Sequence, residues 1–129
     1  MICLDTSFVI DYWNGESHAA RFLETADDDF AIPAVAKFEL YAGVLLSDAP
    51  GTVASVAGDL DWTDTLPFTD DAASRAAAID ARLVEAGEPI NAMDVLIAGT
   101  ALAAGAPLVT TDGHFERVQD LDVIDPKTG

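Results

Sequence analysis

Four acidic residues stand where ionised groups are costly. Asp5 ends an apolar run over 1–4, Glu39 lies inside an apolar helical pattern, Asp94 opens another, and Asp112 closes the apolar run 108–111. A carboxylate at the edge of a core is unfavourable unless a cation compensates it. The chain has only six Lys and Arg against 23 Asp and Glu, too few near these positions to pair all four. A divalent metal is the natural compensation, and an all-oxygen donor set suits Mg²⁺, with Mn²⁺ as the alternative. An ion held this way polarises a phosphoryl oxygen, supplies hydroxide from water and positions an in-line attack; two ions about 3.5–4 Å apart can clamp the attacking and leaving oxygens. The chemistry points to a phosphate ester, with a phosphodiester backbone as a plausible substrate.

Each acid also has a plainer role open to it. Asp5 could cap a helix starting near Ser7, and Asp94 could be a first-turn acid favoured by the helix dipole. Asp112 precedes Gly113 and suits a turn. Glu39, beside Phe38 and Lys37, could sit on a helix surface. The joint placement of the four, each flanked by apolar residues, is what separates them from the other acids.

The elements that must position them follow from periodicity and punctuation. Residues 1–5 read as a buried strand. Ser7 is expected to cap a helix over 8–13 that Asn14-Gly15 stops. A helix over 16–26 carries Ala19, Phe22, Leu23 and Ala26 on one side. A strand is expected over 30–32, and Pro33 suits the first turn of a helix whose stripe is Val35, Phe38, Ala42 and Leu45. Residues 51–60 are weakly helical. Residues 62–68 form a candidate strand, weakened by Pro67. Asp70-Asp71 start a helix to Ala86, ended by Gly87. A helix over 94–104 buries Val95, Ala98 and Leu102. A strand over 108–111, a helical turn over 114–118 and a short strand over 123–124 complete the chain.

Strands alternating with helices predict an α/β fold with a central, mostly parallel sheet. In such sheets ligands bind beyond the carboxyl ends of strands, near a topological switch point. Asp5 and Asp112 each take that position on separate strands, and Asp94 can point into the same crevice.

At 129 residues the chain is expected to be one domain, 1–129, with a single core. No leader pattern or membrane span is expected, because the uncharged stretch 95–111 is broken by Gly99, Gly105 and Pro107. The single Cys3 lies in an apolar run and reads as a small core residue of a cytoplasmic protein. Net charge is −17, with Asp outnumbering Glu 17 to 6 and Lys present only at Lys37 and Lys127. The acids are dispersed among apolar periodicity, so they form the skin of a folded domain rather than a disordered tail. At about 1 M salt the Debye length is only about 3 Å, which screens such a skin. The composition resembles that of proteins from extreme halophiles; an acidic mesophilic protein is the alternative.

Three segments carry a family resemblance. "LDTSFVIDYW", "IPAVAKFELYAGV" and "INAMDVLIAGTALAAGAPLVTTDGHFERV" together resemble a PIN domain, most specifically a VapC-type toxin ribonuclease of a type II toxin–antitoxin pair. The similarity spans essentially the whole chain. It implies a PIN-like three-layer α/β/α sandwich and a metal-dependent endoribonuclease that hydrolyses RNA phosphodiester bonds. It also implies a homodimer and a cognate VapB-type antitoxin that neutralises the enzyme. By the same resemblance, Asp5 and Asp94 are the principal Mg²⁺ ligands, Asp112 completes the site, and Glu39 orients water or acts as general base. Thr6 and Thr111 support the carboxylates by hydrogen bonding. Asn91 either approaches the site or caps the following helix, and Glu116 is either a further acid or a surface residue.

Other side chains read more plainly. His114, beside Phe115, reads as structural rather than as a ligand, and His18 as exposed. Phe8, Tyr12, Trp13, Phe38 and Tyr41 are core by default, with a docking surface among them as the alternative. Lys37, Arg75, Arg82 and Arg117 are the available phosphate contacts. Competing functions are a PIN-fold RNA-processing nuclease without an antitoxin and a receiver-like signalling domain. A receiver needs a late Lys, and none occurs between Lys37 and Lys127.

Overall fold

The computed structural model describes residues 1–48 and 50–128; Ala49 and Gly129 lie outside the described residues. Its elements run β1 (Ile2–Leu4), α1 (Thr6–Trp13), α2 (Ser17–Thr25), β2 (Phe30–Pro33), α3 (Ala34–Leu46), α4 (Val53–Asp59), β3 (Asp64–Leu66), α5 (Asp70–Glu85), α6 (Ala92–Ala104), β4 (Leu108–Val109), a 3-10 turn (Gly113–Arg117) and β5 (Val123–Ile124). Every strand pairing is parallel, in the order β3-β2-β1-β4-β5. The expected α/β sandwich with a parallel central sheet is what forms.

β1 is the central strand and is buried along its whole length. Cys3 lies between Ala31 of β2 and Leu108 of β4. A parallel strand covered on both faces needs apolar side chains without alternation, which the Ile-Cys-Leu run supplies. Burial, then the nearby charge of Asp5, pushes the Cys3 thiol up to about 12, so this cysteine is a core residue.

From β1 the chain moves outward to β2 and β3, then crosses back over β1 to β4 and β5. The strand order therefore reverses between β1 and β4. That gap is the switch point, and side chains just beyond the ends of β1 and β4 face it.

Edge-to-face aromatic pairs anchor α1 and α2 on the sheet. Phe8 stacks on Phe22 at 5.8 Å, Phe22 on Phe30 at 6.4 Å, Phe30 on Trp62 at 6.0 Å and Trp62 on Tyr12 at 5.8 Å. Such pairs add roughly 0.5–1.5 kcal/mol each beyond area burial. α5 and α6 form an antiparallel hairpin in close contact, with Gly99 of α6 set against the α5 backbone at Ala72 and Ala76.

Several local expectations differ from the structure. Thr6, not Phe8, begins α1, and the cap is Asp5, whose carboxylate accepts from the Phe8 amide at 2.8 Å. The Ser7 hydroxyl instead donates back to Asp5. On α3 the stripe Val35-Phe38-Ala42-Leu45 is not the inward face: Phe38 is 61% and Leu45 68% exposed, and the buried residues are Ala36 and Leu40. This helix is apolar on more than one side, so periodicity alone leaves its rotation open. β3 is limited to Asp64–Leu66, because Pro67 has no amide to extend the ladder. Leu102 of α6 is only partly buried, unlike Val95 and Ala98.

Candidate metal centre

Asp5 follows β1 directly, and its backbone amide donates to the Val109 carbonyl of β4 at 3.3 Å. The residue is 3% exposed. Its carboxylate accepts from the Phe8 amide at 2.8 Å, from Ser7 Oγ at 2.9 and 3.0 Å, and from Thr110 Oγ1 at 2.6 Å. As N-cap it also meets the positive end of α1. Desolvation nonetheless dominates and raises its carboxyl above the ordinary range; the hydrogen bonds oppose the rise and Asp112 adds to it. Thus Asp5 is at once the strand-end acid and the helix cap.

Asp94 lies in the first turn of α6, half-buried. Burial, then the carboxylates of Asp112, Glu39 and Asp5, pushes its carboxyl up to about 6, with His114 opposing. Asp94 thus lies within electrostatic reach of the other three acids, and Asp5 within reach of Asp112. Asp112, half-buried beyond β4, caps the 3-10 turn by accepting from the His114 amide at 2.9 Å. Glu39 reaches in from α3, its Oε1 accepting from Thr6 Oγ1 at 2.7 Å. Among the described residues no Lys or Arg forms an ion pair with any of the four.

The supporting residues divide. The Thr6 hydroxyl is bonded to Glu39. The threonine that reaches Asp5 is Thr110, not Thr111. Thr110 is 2% exposed; it donates to Asp5 and accepts from the Asp112 amide at 3.0 Å, joining the two carboxylate-bearing strand ends. Thr111 is half-buried and takes no part in that link. Thr110 is still held to the sheet, its amide donating to the Ile124 carbonyl at 3.1 Å, whereas Thr111 lies past the end of β4. Asn91 is exposed and caps α6 by accepting from the Met93 amide at 2.8 Å. Glu116 is exposed on the 3-10 turn. His18, expected to be exposed, is partly buried and sits 3.1 Å from Asp11. His114, which the sequence suggests is structural, is exposed and lies with Asp94 and Asp112: one ligand atom of each falls within 4.8 Å of the others.

The donor set fits a hard divalent cation. The carboxylates carry net negative charge, lack Lys or Arg partners and leave oxygens of Asp94 and Asp112 open at the surface of the crevice. The link through Thr110 yields a stability prediction. Thr110→Val strips the buried Asp5 carboxylate of its shortest hydrogen bond, which costs roughly 2 kcal/mol. Thermal denaturation should show Tm lower by several degrees, whereas Thr111→Val should be near neutral. Equal Tm values for the two variants would remove Thr110 from the supporting role.

The family model for the PIN domain matches residues 2–121. Ribonuclease VapC19 of Mycobacterium tuberculosis is 31% identical over 125 residues, covering 94% of this chain and 97% of the relative. Among solved structures, VapBC2 from Rickettsia felis bound to a promoter DNA fragment contains a chain that superposes with TM-score 0.87 at 25% identity, covering 96% of this chain and 98% of that one. A chain of DNA-bound VapBC from Salmonella typhimurium gives TM-score 0.86 at 27% identity, covering 98% and 99%.

Proposed function

This chain belongs to the PIN-domain family, and on that premise we propose that it is a metal-dependent endoribonuclease, a toxin kept inactive by a cognate VapB-type antitoxin. The observation that carries the proposal is the convergence of Asp5, Glu39, Asp94 and Asp112 at one switch point without Lys or Arg partners. The similarity to a ribonuclease and to chains of toxin–antitoxin pairs favours a toxin over an RNA-processing nuclease or a receiver-like domain. The 129 residues are read as one PIN domain acting in the cytoplasm; among the described residues no helix is long and apolar enough to cross a membrane.

Asp5, Asp94 and Asp112 would hold the ion, Mg²⁺ or Mn²⁺. When bound, it would neutralise charge on the scissile phosphate and lower the pKa of a coordinated water. The chain's own groups do the remainder. Asp5, locked by Thr110, Ser7 and the Phe8 amide, fixes the floor of the site. Glu39, oriented by Thr6, accepts a proton from the attacking water. Glu39→Gln keeps the Thr6 bond but cannot take that proton. It should leave metal affinity nearly unchanged and slow cleavage by about a hundredfold, the scale of general-base catalysis. Metal titration and single-turnover RNA cleavage on the same preparation separate the two effects. Unchanged turnover would remove Glu39 from proton transfer.

A cavity of about 490 Å³ lies between α1, α3 and α4, lined by Ile10, Trp13, Leu40, Val44 and Val56 and reaching Glu39. Its apolar lining and the acidic site beside it suit an amphipathic antitoxin segment carrying basic residues. The exposed Phe38 and Leu45 of α3 supply a separate apolar face for a homodimer. With net charge −17, RNA binding leans on the metal, on shape and on stacking; molar salt would screen the long-range repulsion while weakening ordinary phosphate pairing. Induction in cells tests the toxin reading: the wild type should arrest growth, co-expression of a small open reading frame adjacent to the gene should relieve it, and Asp5→Asn should be harmless. Growth arrest by Asp5→Asn equal to wild type would refute it.

A further inference from the structure

His114 follows Asp112 by two residues on the 3-10 turn. Its side chain is 57% exposed, and Nδ1 lies 3.2 Å from Asp112 Oδ1. The neighbouring Phe115 fills the core at 1% exposure, so the imidazole is the part of this turn that faces the crevice. With Asp94 and Asp112 it forms a group whose ligand atoms lie within 4.8 Å of one another. Ligands about 2.1 Å from an ion stand about 3 Å apart at adjacent positions and about 4.2 Å apart across it. The 3.2 Å spacing already matches adjacent positions. The remaining spacings stay within 4.8 Å, and small rotations of exposed and half-buried side chains can adjust them.

We propose that His114 is a nitrogen ligand of the cation that Asp94 and Asp112 hold, and that it biases the site toward Mn²⁺ over Mg²⁺. The proposal rests on the reading that these carboxylates bind a divalent cation. Mg²⁺ demands oxygen donors and keeps its waters, whereas imidazole favours transition metals. Adding one imidazole to the carboxylate set therefore discriminates between ions that an all-carboxylate set treats alike. The plainer role is that of an outer partner, with the ring only hydrogen-bonded to Asp112.

Pulsed electron paramagnetic resonance of Mn²⁺ added to the metal-stripped full chain distinguishes the two. The wild type should show the hyperfine coupling of a directly bound imidazole nitrogen. His114→Gln should lose that coupling, and its Mn²⁺ affinity should fall while Mg²⁺ affinity changes little. His18→Gln should keep the coupling, because His18 sits against Asp11 on α1 and α2. If Mn²⁺ binds, is weakened by Asp94→Asn, and yet gives no imidazole coupling in wild type, His114 is not a ligand while the carboxylate site stands. Retention of the coupling in His114→Gln would likewise exclude His114 as the ligand. If Mn²⁺ does not bind, or binds regardless of Asp94→Asn, the carboxylate site itself is refuted and this proposal falls with it.

Discussion

Asp94→Asn is expected to reduce RNA cleavage by roughly a thousandfold, the loss that follows if about 4 kcal/mol of metal-borne transition-state stabilisation disappears. The fold persists, because Asp94 sits half-buried in the first turn of α6 and Asn91 still caps that helix. In the metal-free protein the same substitution should raise Tm above neutral pH. Burial and three neighbouring carboxylates push the Asp94 carboxyl up to about 6, above the ordinary value near 3.9. A raised folded-state value means that the folded state gains from protonation. That contribution is fully present below about pH 4 and is lost as pH rises through about 6. The variant's Tm advantage should therefore open across that window and vanish below it. Solvent at the half-exposed group limits it to a few degrees. Added Mn²⁺ should raise the wild-type Tm and leave the variant's unchanged. Differential scanning fluorimetry across pH, with and without chelator, reads both effects; a variant that cuts like wild type would overturn the role of Asp94.

Gly99→Val is expected to destabilise the α5–α6 hairpin strongly. A Cβ on Gly99 would meet the Ala72 carbonyl oxygen at 2.7 Å, the Ala76 Cβ at 2.8 Å and the Ala76 amide nitrogen at 2.9 Å. Two of the three are backbone atoms, so the clash is relieved only by separating α5 from α6. Overpacking of this kind costs roughly 3 kcal/mol, or about 10 °C in Tm for a chain of this length. The separation also shifts the start of α6, which carries Asp94, so metal affinity should fall as well. Gly43 of α3 is the contrast: a Cβ there meets nothing within 4 Å, and Gly43→Ala should stabilise by about 0.5–1 kcal/mol through the unfolded chain. A Gly99→Val protein with wild-type Tm would show that the hairpin can open without cost.

The parts of the site that can be read from sequence are those fixed by strand ends. Asp5 and Asp112 terminate apolar runs, and a parallel sheet with a switch point between their strands must bring such ends together. Asp94 is placed by the start of a long apolar helix. Supporting contacts are less legible because they depend on which side chain faces which way. Thr110 and Thr111 are adjacent and chemically identical, and only their placement just past the end of β4 separates them. The α3 face is obscured for a related reason. Its inward contacts use Ala36 and Leu40, while the bulkier Phe38 and Leu45 are left outside, so hydrophobicity points the wrong way when a helix packs closely through a small residue. His114 reads as structural in the sequence because it adjoins Phe115. The 3-10 turn buries Phe115 and directs the imidazole the other way, a division that a single helical turn conceals at the sequence level.

Whether carboxylates at one switch point hold a metal that cleaves RNA is tested most directly with chelator-stripped wild type and Asp5→Asn. Cleavage of an RNA oligonucleotide is followed at high KCl, before and after adding Mn²⁺ or Mg²⁺. The expected result is no cleavage by stripped protein, restoration by either ion in the wild type, and none in Asp5→Asn. Cleavage that survives chelation, or that returns equally in Asp5→Asn, would contradict a metal-dependent mechanism at this site.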